Sequence, residues 1–169
     1  IPIPSTWDDV IEILPELQRR GLNFYEPISA YTGMKPFVAT LPFIYQFEGD
    51  LYSSDGITTA LNSEENVRAI KFMTDLFKIY DMPKQVASFY NHFRYGDLPI
   101  GIANTATYIQ LTIAAPEIKG NWTIAPYPGR EIEEGIINRY APVGGQAIMI
   151  FNKTKYPAES FEFIKWWMS

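Results

Sequence analysis

The chain predicts an α/β fold, a mainly parallel sheet with helices on both faces. Three observations carry this. Short apolar runs suited to buried strands alternate with amphipathic stretches of helical period. A chain of 169 residues, 47% hydrophobic and 15% aromatic, can bury a sizeable core within one domain. The segments between them carry Gly, Pro, Asn, Asp and Ser turn chemistry, with no internal repeat and no low-complexity tract.

Taken in order, Thr6 is a good N-cap, with Asp9 three residues on as a capping-box variant and Asp8 beside it in the first turn. Trp7, Val10, Ile11, Leu14 and Leu17 form one helical stripe that Gly21 ends, and Pro15 predicts a kink or break within it. Leu22 to Ile28 suits a short strand, and Pro36 to Phe47 a strongly apolar helix buried on most sides. Glu48 to Asn62 is a loop, with a short strand around Thr58 to Leu61. Ser63 caps a long helix to about Tyr80. Its apolar face runs through Val67, Ile70, Phe77 and Tyr80, widened by Phe72, Met73 and Leu76, and Pro83 ends it. A short helix from Phe89 to Tyr95 closes at Gly96, and Pro99 to Ala103 follows as a buried strand. Asn104 or Thr105 caps a helix to about Ala115. Asn121 to Ala125 is a strand with Trp122 facing the core, and Gly129 to Tyr140 a polar, mobile segment. Gln146 to Phe151 is a strand, and Tyr156 to Met168 a helix with Pro157 in its first turn.

Composition excludes several chemistries. A net charge of −5 with no Lys/Arg cluster beyond Arg19-Arg20 and Lys153/Lys155 argues against nucleic acid. The absence of cysteine removes disulfides and thiolate metal sites, and one histidine, His92, removes multi-histidine zinc motifs. No window approaches the roughly 20 apolar residues of a spanning helix. Paired carboxylates of a glycosidase would have to come from Glu48 with Asp50, or from Glu131 with Glu133 and Glu134. The latter sit in a polar loop with nothing to raise a pKa. A protein-interaction module with an exposed apolar face is a third class.

Five stretches, in this order, resemble the extracellular solute-binding proteins (family 1) of ABC sugar importers. They are Pro4-Ser5-Thr6-Trp7-Asp8-Asp9, Phe93-Arg94-Tyr95-Gly96-Asp97-Leu98-Pro99-Ile100, Gly120-Asn121-Trp122-Thr123-Ile124-Ala125-Pro126-Tyr127-Pro128-Gly129, Val143-Gly144-Gly145-Gln146-Ala147 and Tyr156-Pro157-Ala158-Glu159-Ser160-Phe161-Glu162-Phe163. The resemblance implies one lobe of a periplasmic-binding-protein-like type II fold. It also implies capture of a sugar by closure of two lobes, no covalent chemistry and no cofactor. The implied partners are a small-molecule sugar, an ABC permease in the membrane and the N-terminal lobe of the same protein. The implied location is extracellular, as a surface lipoprotein or in the periplasm. The chain opens at Ile1 without an initiator Met and stops at Met168-Ser169 inside an amphipathic pattern. Residues 1–169 are therefore expected to form a single C-terminal-lobe-like unit, too incomplete to hold sugar tightly alone.

A sugar ring has apolar C–H faces and a rim of hydroxyls, so it needs an aromatic plate and a few polar groups at the carboxyl ends of parallel strands. Three loops qualify: Tyr45, Glu48 and Asp50; Asn104, Thr105 and Tyr108; and Arg139, Tyr140, Gly144 and Gly145. They are expected to converge on one face. Each residue also has a plain structural alternative: Asn104 as a helix cap, Glu48 and Asp50 as turn residues, Tyr45 and Tyr140 as packing.

Overall fold

A computed structural model describes residues 2–28, 35–141 and 147–168, by the backbone alone at 35–38. Helix α1, Trp7–Arg19, opens on a full capping box. Thr6 Oγ1 accepts from the Asp9 N–H at 3.1 Å, while the Asp9 carboxylate accepts from the Ser5 and Thr6 N–H groups at 2.8 Å each. Those backbone donors hold the Asp9 carboxyl below its ordinary value. Trp7, Val10, Ile13, Leu14 and Leu17 are buried. The helix runs unbroken through Pro15, against the expected break. Pro15 lies on the exposed face, where water can solvate the carbonyl that loses its N–H partner.

Strand β1, Phe24–Tyr25, pairs in parallel with β2, Ile100–Gly101, in the register Phe24 to Ile100 and Tyr25 to Gly101. The Ile102 N–H extends the pairing by donating to Tyr25 O at 2.8 Å. Gly101 is required there: a Cβ would lie 2.9 Å from that of Tyr25 and 2.7 Å from the Phe89 ring. A second parallel bridge joins Thr6 to Gly129, with Trp7 N–H on Gly129 O at 2.9 Å and Gly129 N–H on Ser5 O at 3.1 Å. The parallel sheet among the described residues is thus short, and the expected strand at 99–103 contributes two half-buried residues to it.

Helix α2, Lys35–Gln46, packs on α3, Glu64–Lys78, which Ser63 caps as expected. Between them, Tyr52 bridges Thr59 and the Asp55 carboxylate gathers the Ile57 and Thr58 N–H groups, so the expected strand at 58–61 is reduced to one bridge. Of the predicted face of α3, Leu76 and Phe77 are buried and Phe72, Met73 and Tyr80 pack against the core, while Val67 and Ile70 are exposed and Asn66 and Ala69 are buried at the first turns. Asn66 turns the helix this way. Its Nδ2 donates to Asp50 O and Ala60 O, both at 2.7 Å, and pins the preceding loop.

Helix α4, Phe89–Tyr95, ends at a left-handed Gly96, and α5, Thr105–Ala114, is capped by Asn104 and leads into a 3-10 turn, Pro116–Ile118. The two helices pack together. Residues 122–128 are extended but form no ladder, so the expected strand at 121–125 is absent. The segment expected to be a polar, mobile loop is instead a hairpin of β3, Arg130–Glu133, and β4, Ile136–Asn138. Gly135 takes the left-handed conformation in its turn, and the Glu131 carboxylate accepts from the Gly135 N–H at 2.7 Å. Of the expected strand at 146–151, Gln146 lies outside the described residues and 147–151 are unpaired and mostly exposed. Helix α6, Pro157–Trp167, carries no buried residue; Phe161, Phe163, Trp166 and Trp167 are all more than half exposed.

The core is built on Trp7. Its ring meets Phe43 at 5.0 Å, Tyr127 at 5.8 Å, Phe24 at 6.1 Å and Phe72 at 6.5 Å between centroids. One buried indole thereby joins α1, β1, α2, α3 and the 122–128 segment.

Candidate ligand-binding site

A cleft of about 820 Å³ opens beside the β1–β2 pair. One wall is β2 with the residues that follow it, through Asn104 and Thr105 into α5; the opposite wall is the extended stretch from Asn121 to Pro128. The walls meet through aromatic edges. Trp122 stands edge-on to Tyr108 at 5.9 Å and to Phe93 at 6.4 Å. Trp122, expected in the core, is half-buried and lines the cleft with Tyr108 and Tyr127. The lining is predominantly apolar with a few polar groups, the composition small-molecule sites share.

Asn104, Thr105 and Tyr108 line this cleft. Asn104 also caps α5: its Oδ1 accepts from the Thr107 N–H at 3.1 Å, so the Nδ2 hydrogens are the part of its amide left for a ligand. Tyr45 and Tyr140 form a second group, their rings 4.4 Å apart and tilted by 40°. Burial raises the Tyr45 phenol above its ordinary pKa, reinforced by the charge of Asp50 and by Tyr140. Asp50 itself is exposed and accepts from the Leu51 N–H at 2.6 Å. Glu48 is exposed and takes a positive φ of 62° at the end of α2, so it serves the turn.

Arg139 is committed within the chain. Its guanidinium donates to Ser5 O and Ser5 Oγ, both at 2.5 Å, and to Tyr127 O at 3.4 Å. Tyr127 is thus shared: its ring lines the cleft and its carbonyl meets the residue beside Tyr140. Gly144 and Gly145 lie outside the described residues.

Sequence reasoning missed Glu26. It follows β1 directly and is only 3% exposed. Burial pushes its carboxyl up to about 8; the Tyr127 hydroxyl, donating to Oε2 at 3.4 Å, offsets this only in part. At neutral pH the group is mainly a carboxylic acid, able to donate as well as accept a hydrogen bond. The stretch Phe24-Tyr25-Glu26-Pro27 held a signal for this: an acidic residue between a buried aromatic pair and a proline, at the carboxyl end of a strand.

Residues 1–169, the whole chain, match the family of bacterial extracellular solute-binding proteins. The chain belongs to that family. No curated protein matches it. Among solved structures, an ABC transporter solute-binding protein from Thermotoga lettingae bound with alpha-D-tagatose is similar with a TM-score of 0.60 and 23% identity, covering 74% of this chain and 33% of that one. Maltose-bound MalE3 of T. maritima is similar with a TM-score of 0.62 and 24% identity, covering 75% of this chain and 34% of its own. The α/β fold of the chain is the type II fold of these binding proteins. The chain spans about a third of the length of the solved structures it matches.

Proposed function

We propose that residues 1–169 form one lobe of a two-lobed receptor that captures a carbohydrate outside the bacterial cell for an ABC importer. The observation that carries this is the cleft beside the β1–β2 pair, where Trp122, Tyr108 and Tyr127 supply aromatic faces and Asn104 and Thr105 supply polar groups, with the buried Glu26 behind Tyr127. Aromatic rings cover the C–H face of a sugar, and an amide with a hydroxyl can serve its hydroxyls from both sides of the hydrogen bond. The Tyr45–Tyr140 pair with Asp50 is a second contact region, joined to the first through Tyr127 and Arg139. Gly144 and Gly145 belong to the proposed set on their residue type alone, since glycine lets a ligand approach the backbone closely. Glu48 contributes at the rim.

The family and the sugar-bound relatives support binding without catalysis. The carboxylates that would have to act in hydrolysis, Glu48 with Asp50 or Glu131 with Glu133 and Glu134, all stand exposed, in the loop after α2 and on the β3–β4 hairpin. A permease in the membrane receives the ligand, and the location is the periplasm or the outer face of the cell, with a lipid anchor as one means of attachment. Among the described residues no helix is long and apolar enough to cross a membrane.

The test is calorimetry with maltose, tagatose and an oligosaccharide panel, on this chain and on a protein carrying both lobes. Closure sandwiches a ligand, so one lobe makes only part of the contacts. The expected result is tight binding by the two-lobed protein and binding at least about a hundredfold weaker by residues 1–169. Equal affinity would remove the one-lobe reading, and no sugar bound by the two-lobed protein would remove the carbohydrate.

A further inference from the structure

Gln46, the last residue of α2, is fully buried, and its amide bonds three separate stretches of the chain. Its Oε1 accepts from the Trp7 Nε1–H at 2.9 Å. Its Nε2 donates to Pro128 O at 3.1 Å and to Tyr140 O at 2.9 Å. Pro128 ends one wall of the cleft, and the Tyr140 ring lies tilted against that of Tyr45, the neighbour of Gln46. The β3–β4 hairpin runs between those two carbonyls, so both of its feet rest on one side chain. Asn138 reinforces the arrangement by donating from Nδ2 to Tyr45 O at 2.8 Å.

The chemistry is selective. One acceptor and two donors on a planar fork is what a side-chain amide provides. Asparagine is a methylene too short, leucine offers neither function, and ionised glutamate would turn an oxygen toward two carbonyl oxygens.

We propose that Gln46 is the positioning residue that sets the spacing between the cleft wall at Tyr127–Pro128 and the Tyr45–Tyr140 pair. It holds the two regions in register before a ligand arrives, which lowers the ordering cost of binding. The proposal rests on the reading of the site given above, and it makes a claim that needs no ligand.

The experiment is hydrogen–deuterium exchange on the full chain without ligand, in wild type, Gln46→Leu and Gln46→Glu, expressed as protection factors. Two amides report on the feet: Gly129, whose N–H rests on Ser5 O, and Tyr140, whose N–H rests on Asn138 Oδ1. Gln46→Leu is expected to lower protection about tenfold at Gly129 and Tyr140, the loss of one to two hydrogen bonds, with the α3 amides unchanged. Gln46→Glu is expected to lower protection at the same amides at pH 8. The loss shrinks as the pH falls, because the protonated carboxyl regains one donor.

Unchanged protection at both feet overturns the proposal. So does a loss in Gln46→Glu that does not respond to pH, which marks Gln46 as core packing only; this arm decides the matter if Gln46→Leu fails to fold. Maltose titration of the wild-type two-lobed protein bears on the carbohydrate reading alone, so the two ideas fail separately.

Discussion

Glu26 shows how far a single residue can depart from its sequence appearance. A glutamate before a proline reads as a loop acid, and its burial depends on Tyr127, which arrives from 101 residues away. The consequence is a pH-dependent stability. The unfolded carboxyl titrates near 4.5 and the folded one at about 8, so between these values the folded state holds a proton that the unfolded state has lost. Its contribution is complete below about pH 4.5 and declines as the pH rises to about 8, by up to roughly 5 kcal/mol. Urea midpoints of wild type should therefore fall between pH 5 and 8.5, while those of Glu26→Gln should lose most of that slope. Trp122 makes a second residue-scale prediction. If it is the plate for a sugar, Trp122→Ala in the two-lobed protein lowers affinity about tenfold, roughly 1.4 kcal/mol, with little change in thermal midpoint because the ring is only half-buried. Undiminished affinity by calorimetry would assign the ring to packing.

At the scale of elements, ends were more legible than faces. Thr6, Ser63 and Asn104 cap their helices as the sequence suggests, because a cap is a local bond between a side chain and the backbone three residues on. The inward face of α3 was legible in its C-terminal half, through Leu76 and Phe77, but not at its start: there it depends on Asn66 reaching two carbonyls in the loop before it, and no hydrophobic pattern encodes that. The β3–β4 hairpin was hidden by its charges, since Glu131, Glu133 and Glu134 read as a solvated loop although Glu134-Gly135 is turn chemistry. Pro15 offers the cleanest test here. It sits on the exposed face of an unbroken helix, where it removes one backbone hydrogen bond and gives no buried contact in return. Pro15→Ala should stabilise the chain by about 1–3 kcal/mol, less what the freer unfolded backbone takes back. A lower denaturation midpoint would show that the proline ring has a packing role.

Across the whole molecule, the order of the helices was readable, and so was the α/β class, while among the described residues only two of the expected strands, at 22–28 and 99–103, form a ladder. What could not be read was closure in space. Asn104, Thr105 and Tyr108 come to one cleft with Trp122, while Tyr45 and Tyr140 pair from 95 positions apart in number, and Tyr127, Arg139 and Gln46 connect the two regions. Arg139 also ties the strand end of the β3–β4 hairpin to the residue before the α1 cap: its guanidinium grips Ser5, which itself holds Gly129. Arg139→Ala should therefore cost roughly 1–2 kcal/mol by chemical denaturation. It should also loosen the Thr6–Gly129 bridge, seen as faster exchange of the Trp7 amide. A stability unchanged within error would mean the ion-to-carbonyl contacts contribute nothing net.

The distribution of tryptophan has an optical consequence. Trp7 is sealed in the core, whereas Trp166 and Trp167 stand in solvent on α6. The emission of this chain should hold a blue component from Trp7 that iodide cannot reach, a red one from Trp166 and Trp167 that it quenches freely, and an intermediate one from the half-buried Trp122. Any event that covers α6 would then announce itself as a loss of quenching, with the signal from Trp7 as an internal standard.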